Sequence, residues 1–534
     1  MKMTVRFQAA VVSVSVLLAW AGPLRAAGDG PEAGRKLRIL SGEQTALKAI
    51  MQKWHDEELK RQGGKFGSHG WWLWGLTAFD YDNDGDADLL PTHHGTSGGL
   101  LLKNQFAETG KLTFVDATGQ LGLVAREMPQ GIGLRTHAID LDGDGWLDLV
   151  GIRSPYYFNR QGKAFEKVGR KGFNSFGPVR IADLNGDGWL DFTGWEGARW
   201  RWDPKARAFV AMPGAPAVEA RLPAEFLEQR KSLGRKTKDN PAGDNTWRLC
   251  EYFTDWDLNG DGLDDVVFQG WCGYNGKAGG RVFIAGKDGK CSEQTEKLGL
   301  PKDSAPILVR DLTGDGAADL LLARRKSAGV YVNDGRGRFA LKPGPLTNLL
   351  RQTEPYLHRA YPVDLDDDGD ADIVISKPRH GTKVVFENRG GGAFRLWHKM
   401  GGWCDSVAVC DVDGDGRINV VIGGPGNDIT IVAGPEGAPG HFCNVYVRMA
   451  RPNWTAAGAK VEVFRAGTLG KAGARPILIE RAHADATPVH VGLGKAEKFD
   501  LRVTFPSGKR IERKGIEAAP KLKVTAGGKI ERMD

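Results

Sequence analysis

Seven times along this 534-residue chain an aspartate opens a nine-residue stretch whose fifth residue is again aspartate and whose sixth is glycine. The copies begin at Asp80, Asp140, Asp183, Asp257, Asp311, Asp364 and Asp411, and their fifth residues are Asp84, Asp144, Asp187, Asp261, Asp315, Asp368 and Asp415. Position three always carries a side-chain oxygen: Asp82, Asp142, Asn185, Asn259, Thr313, Asp366 and Asp413. Position nine is Asp88, Asp148, Asp191, Asp265, Asp319, Asp372 and, once, Asn419. Position seven ranges over Asp86, Trp146, Trp189, Leu263, Ala317, Asp370 and Arg417, the variety expected where only a backbone carbonyl is used.

Carboxylates at alternate positions, a turn-forming glycine, a carbonyl and a closing carboxylate supply most of the six to eight oxygens a calcium ion takes. Magnesium, which demands an octahedron and retains water, fits less well. The reading is therefore up to seven Ca2+ ions, one per loop. An acidic turn without metal is the plain alternative. Three or four carboxylates in nine residues repel one another without a cation, so that alternative gains weight only at the loops whose sets are weakened by Thr313 and Asn419. Helical calcium hands are excluded, because position twelve is Pro91, Gly151, Gly194, Phe268, Leu322, Ile375 and Ile422 where they need glutamate.

The residues around each copy are strand-forming. Ile307 to Val309 and Val407 to Val409 precede loops, and Val266 to Phe268, Leu320 to Leu322, Ile373 to Ile375 and Val420 to Ile422 follow them, so each copy joins two strands of a hairpin. A second hairpin follows: Val330 to Asn333, a Gly-rich turn, then Arg338 to Leu341; likewise Lys383 to Asn388 and Ala393 to Trp397. Four strands per repeat, a start-to-start spacing of 43 to 74 residues and seven repeats predict an all-β fold, a seven-bladed β-propeller with calcium-binding hairpin loops.

The Asp-x-Asp/Asn-x-Asp-Gly-x-x-Asp loops resemble the FG-GAP or VCBS repeats of integrin-α-like propellers. Beyond them, Asn444 to Met449, Ala457 to Val461, His490 to Gly494 and Phe505-Pro506-Ser507-Gly508 resemble the ASPIC/UnbV domain of relatives of cartilage acidic protein, with Phe505 where that family usually has Trp. The resemblance implies a calcium-stabilised extracellular binding or adhesion scaffold.

The organisation that follows is a signal peptide over 1–27, a helical segment over 28–70, the propeller over 71–437 and a β-sandwich-like domain over 438–534. Lys2 and Arg6, the apolar run Ala9 to Ala21 and the small residues Ala26, Ala27 and Gly28 have the order of a secretory leader, too short to span a bilayer. The protein is therefore expected to be secreted or periplasmic, with no transmembrane segment. Ser41 with Gln44 is the expected cap of a helix running to about Leu59, and Ala224 to Lys231 a short helix inside the Pro-rich, then basic stretch Pro213 to Asn245, read as a solvated excursion. Six cysteines suit an oxidising compartment, and Cys250 and Cys272, eleven residues either side of Asp261, are a candidate disulfide or a pair of free thiols.

The remaining chemistry-bearing residues carry less. Gly95-Thr96-Ser97-Gly98-Gly99 spells a nucleophile elbow, but strand continues after it where a helix is required. His93 and His94 read as surface residues, His137 and His358 have no assignable role, and Trp71, Trp72, Trp74, Trp146 and Trp189 serve either blade packing or a sugar platform. No catalytic set and no organic cofactor site emerges. The formal charge of +7 becomes +4 when Lys2, Arg6 and Arg25 leave with the leader, and seven Ca2+ would add 14 to give +18. The expected partner is thus a carbohydrate or protein ligand outside the cell, acidic polysaccharide or cell envelope foremost, and not nucleic acid. The alternative is an extracellular polysaccharide lyase or hydrolase built on a propeller face.

Overall fold

In the computed structural model the described residues are 36–533 apart from 41–43, 67–70, 72, 94–97, 129–135, 152–155, 169–177, 184, 195–198, 213–218, 233–251, 254–255, 270–278, 302–304, 324–326, 353–358, 378–381, 402–405, 425–428 and 438–439. Strands dominate, as the glycine-punctuated apolar runs require. Seven four-stranded antiparallel sheets follow one another along the chain, each carrying one nine-residue loop between its first two strands. In the first, Leu73–Phe79 pairs with Asp88–His93 across the loop at Asp80, and Leu102–Asn104 and Phe114–Asp116 complete the sheet.

Alternation along the strands puts apolar residues on both faces of a sheet, so each sheet must pack face to face with its neighbours. Phe79, Leu90 and Leu101 of sheet 1 meet Leu149, Tyr157 and Phe165 of sheet 2. Sheets 2 and 3 share Tyr156, Phe158, Phe192 and Trp202; sheets 4 and 5 share Val267, Val282, Leu320 and Tyr331. The same holds between sheets 5 and 6 and between 6 and 7. The series then returns to its start, because Leu73, Leu76 and Leu89 of sheet 1 pack on Val421, Ile429 and Ile431 of sheet 7. The architecture is a β-propeller.

Leu37–Leu40 is the fourth strand of sheet 7, pairing antiparallel with Ile429–Pro435. The sequence reading placed this segment in a helical region. Four residues with no periodicity of their own give no strand signal, and their partner lies almost 400 positions away. The helix itself runs Leu47–Arg61, starting after Ala46 with no side-chain cap, and buries Leu47, Met51 and Trp54 against sheets 1 and 7. The expected cap, Ser41, lies outside the described residues. Helix Ala224–Ser232 is not solvated: Phe226 packs 5.2 Å from Phe268 and 4.8 Å from Phe283 of sheet 4.

The C-terminal residues form two further four-stranded sheets, His441–Arg448 central in one and Lys460–Arg465 in the other. Val445, Val447, Val461, Val463, Leu501, Val503 and Phe505 fill the space between them, giving a β-sandwich. Phe505 is buried there, so the departure from tryptophan keeps its packing role.

Candidate metal centre

Every loop is built by one hydrogen-bond scheme that its sequence dictates. The position-one carboxylate accepts the N–H of the position-six glycine in all seven copies, at 2.7–3.0 Å. That closure needs a left-handed residue at position six, and Gly85, Gly145, Gly188, Gly262, Gly316, Gly369 and Gly416 all have φ between 84° and 98°. Position four is left-handed too, which explains a preference the sequence reading passed over: Asn83, Gly143, Gly186, Gly260, Gly314, Asp367 and Gly414 are the residue types that tolerate it. The position-five Oδ1 accepts the N–H of position seven in each loop, tying Asp86, Trp146, Trp189, Leu263, Ala317, Asp370 and Arg417 to their aspartates.

Position nine does double duty. One oxygen of Asp88, Asp148, Asp265, Asp319 and Asp372 accepts the position-two N–H, and the other accepts an N–H from the third strand of the sheet. Asn419 keeps the first bond, from Val412 N at 2.8 Å. These aspartates therefore staple the hairpin and retain one lone pair per oxygen for an ion.

The third-strand donor is usually an asparagine, and its role was not legible from the loops alone. Asn104, Asn159, Asn333 and Asn388 each donate from Nδ2 to the position-eight carbonyl of their own loop and to the position-two carbonyl of the preceding one. Asn104 thereby binds Val412 O at 2.9 Å and joins sheet 1 to sheet 7. The signal was present in the sequence as an asparagine 11 to 16 residues after position nine.

Among the described residues, three carboxylate oxygens converge within 4.8 Å in four loops: Asp80, Asp82 and Asp88; Asp140, Asp142 and Asp148; Asp364, Asp366 and Asp372; Asp411, Asp413 and Asp415. In loops 3 and 4 an amide stands at position three, and Asn185 and Asn259 direct Nδ2 to Asp187 and Asp261 at 3.0 and 3.1 Å. There the amide N–H meets the position-five carboxylate. In loop 5, Thr313 turns to Asp311 instead.

The electrostatics fit a missing positive charge. Burial, together with Asp84 and Asp82, pushes Asp80 up to about 7; burial, Asp144 and Asp142 do the same to Asp140, and burial, Asp366 and Asp370 to Asp368. Asp411 is pushed to about 6, by burial and then by Asp413 and Asp415. Among the described residues, Asp82 Oδ1, Asp86 Oδ1 and Asp413 Oδ1 are buried without a hydrogen-bond partner. Protein cations answer part of the charge: Lys103 at Asp82 and Asp84, Arg160 at Asp142, Arg201 at Asp187, and Arg38 at Asp413 and Asp415. The donor set suits a hard divalent cation.

The chain carries FG-GAP-like repeats. The family model for FG-GAP-like repeats matches residues 140–192, 257–322, 311–375 and 364–422. Cartilage acidic protein 1 of Xenopus tropicalis is 25% identical over 272 residues, covering 49% of this chain and 34% of that protein. The chain thus matches about a third of the length of its curated relative. Solved structures similar to it include an Agrocybe aegerita lectin that recognises non-reducing terminal N-acetylglucosamine (20% identity, 63% of this chain, 81% of that one, TM-score 0.37). The Niastella koreensis GH74 enzyme is another (11%, 86%, 69%, 0.35), and YCF48 from Cyanidioschyzon merolae a third (10%, 69%, 96%, 0.36).

The FG-GAP-like loops lie at one end of the propeller, and the C-terminal sandwich sits across that end. Asp183 N donates to Ala457 O, Lys460 pairs with Asp264 at 3.1 Å, Arg465 donates to Gly314 O, Gly494 N to Asp367 O, and Asn444 Nδ2 to Gly416 O. Between it and first strands of the sheets lies a cavity of about 580 Å3. His137 lines it, as do Arg310 and Glu480 of the sandwich, paired at 2.6 Å. Trp71 is 6% exposed with its ring centroid 4.1 Å from that of His93, which at 3% exposed is buried and not the surface residue expected, and Trp189 is half-buried in the core shared by sheets 2 and 3; for these two tryptophans packing, not a sugar platform, is the role. Ser97, His94, His358, Cys250 and Cys272 lie outside the described residues, while Cys291, Cys410 and Cys443 are buried free thiols. No helix among the described residues is long and apolar enough to cross a membrane.

Proposed function

We propose that this protein is an exported binding module whose propeller is made rigid by calcium, with 1–27 removed as a leader, 71–437 as the propeller and 438–534 as the second module. The observation that carries the reading is the convergence of three carboxylates at positions one, three and nine in loops 1, 2 and 6, with carboxyls pushed toward neutrality in each and buried oxygens unpartnered in loop 1. An ion there replaces repulsion by coordination and fixes the hairpin and, through the asparagine staples, the next sheet. With the loops neutralised, the outward charge is basic, and acidic polysaccharide is the ligand class it attracts.

Calorimetric titration of the chelator-treated chain with calcium should show several sites. Calcium should also raise the melting temperature by roughly 5–10 °C, since an ion at a hundred times its Kd contributes about 2.7 kcal/mol. A melting temperature indifferent to chelator ends the reading. A glycan-binding screen in the presence and absence of calcium then tests the ligand class; retention on acidic glycans insensitive to both calcium and salt would speak against it.

A further inference from the structure

Among the described residues, loop 1 has features that no other loop shares. Besides Asp80, Asp82 and Asp88, a second set of carboxylates lies beside it: Asp82, Asp84 and Glu108 each place an oxygen within 4.8 Å of the other two. Glu108 does not belong to the nine-residue repeat. It comes from the short helix Phe106–Thr109 between the third and fourth strands of sheet 1. Asp86 backs the set: it is 6% exposed, its Oδ2 accepts Ala107 N at 2.8 Å, and its Oδ1 is buried with no hydrogen-bond partner among the described residues.

The Lys103 ammonium sits among them, paired with Asp82, with Asp84 at 3.1 Å and with Glu108 at 2.6 Å. It takes the place a small cation would occupy. The local charge exceeds what Lys103 and one ion can meet. Asp80, Asp82, Asp84, Asp86, Asp88 and Glu108 carry six negative charges if ionised; Lys103 returns one and a divalent ion two, leaving three uncompensated.

We propose that loop 1 holds a second divalent-cation site, formed by Asp82, Asp84 and Glu108 with Asp86 behind them, for which the Lys103 ammonium is the built-in competitor. Asp82 belongs to both sets, so its carboxylate bridges the two ions. All-oxygen ligation selects calcium or another hard divalent cation. The inference rests on the reading of the repeat loops as calcium sites and adds an ion that the nine-residue spelling does not provide.

The test is calcium titration of the full chelator-treated chain, comparing wild type with Glu108→Gln and Lys103→Met, each first checked for folding by its thermal melt. Glu108 is 43% exposed at its side chain, so Gln is tolerated there. Glu108→Gln should bind one ion fewer, or bind one ion at least about tenfold more weakly, while the remaining sites keep their affinities. Lys103→Met should bind one ion about tenfold more tightly, the competing ammonium being gone. If wild type binds calcium and Glu108→Gln titrates identically, the second site is overturned and the repeat-loop reading survives. A Lys103→Met titration identical to wild type overturns the competitor role. If wild type binds no calcium, both readings fall together.

Discussion

Loops 1 and 6 share a spelling, with aspartate at positions one, three, five, seven and nine, yet the molecule treats them differently. Loop 1 meets part of its charge from within its own sheet, through Lys103 and the Ala107 N–H of the short helix. Loop 6 is covered by the C-terminal sandwich. Asp367, 1% exposed at position four, pairs with Arg417 of loop 7 and lies 3.0 Å from His490 Nε2, whose Nδ1 is 2.8 Å from Asn444 Oδ1. Phe442 stacks on His490, and the Arg417 guanidinium lies 5.1 Å over the Phe442 ring. Identical carboxylate sets thus meet a lysine of their own sheet in one blade and an interdomain joint in another.

The difference breaks most sharply at Arg417. Arg417→Met leaves Asp367 buried without its guanidinium, which should cost about 3–5 kcal/mol in denaturant unfolding and free the sandwich to limited proteolysis. Lys103→Met at loop 1 should leave that proteolysis pattern unchanged. Next comes Gly492→Ala. A Cβ there would fall 1.6 Å from Asp364 Oδ2, and Asp364 cannot swing away because Asp368 N and Gly369 N hold it. The substitution should cost about 1–3 kcal/mol and weaken calcium binding at loop 6 while sparing loop 1.

A further expected effect is on pH. Asp80, Asp140 and Asp368 titrate near 7 in the folded metal-free chain and near 4 when unfolded. A raised carboxyl favours the folded state fully below the unfolded value and loses that contribution as pH climbs through the folded one. Metal-free stability should therefore fall between pH 4 and 7 by about 1 kcal/mol per pH unit for each such group. Calcium should cancel the trend, since it needs the ionised form. Urea midpoints at pH 5 and 7, with and without chelator, measure this; equal midpoint changes in both series would contradict it.

The loops and their flanking strands were legible because a nine-residue pattern repeated seven times leaves little freedom, and runs such as Ile373 to Ile375 became strand as they stood. The helix at Ala224 was legible by its local pattern, while its packing on sheet 4 was not, since nothing near Phe226 names Phe268 as a partner. Position four was overlooked because a left-handed backbone is met by three residue types in place of one. Lys103 and Glu108 were invisible as site residues for a different reason: they lie 19 and 24 positions after the Asp84 they approach, and the third strand of the sheet brings back Lys103 and the short helix Glu108. The cover over loop 6 depends on Gly492 and His490, more than 120 residues beyond Asp364.

The strand Leu37–Leu40 is synthesised early, and its partner Ile429–Pro435 is among the last of the propeller. Until the chain is nearly complete, sheet 7 lacks its rim and that tetrapeptide has nothing to pair with. The clasp of the ring is therefore made late and across the longest loop closure in the molecule. A chain that begins after Leu40 would keep all seven loops yet present an unprotected sheet edge, so it should self-associate where the longer chain does not.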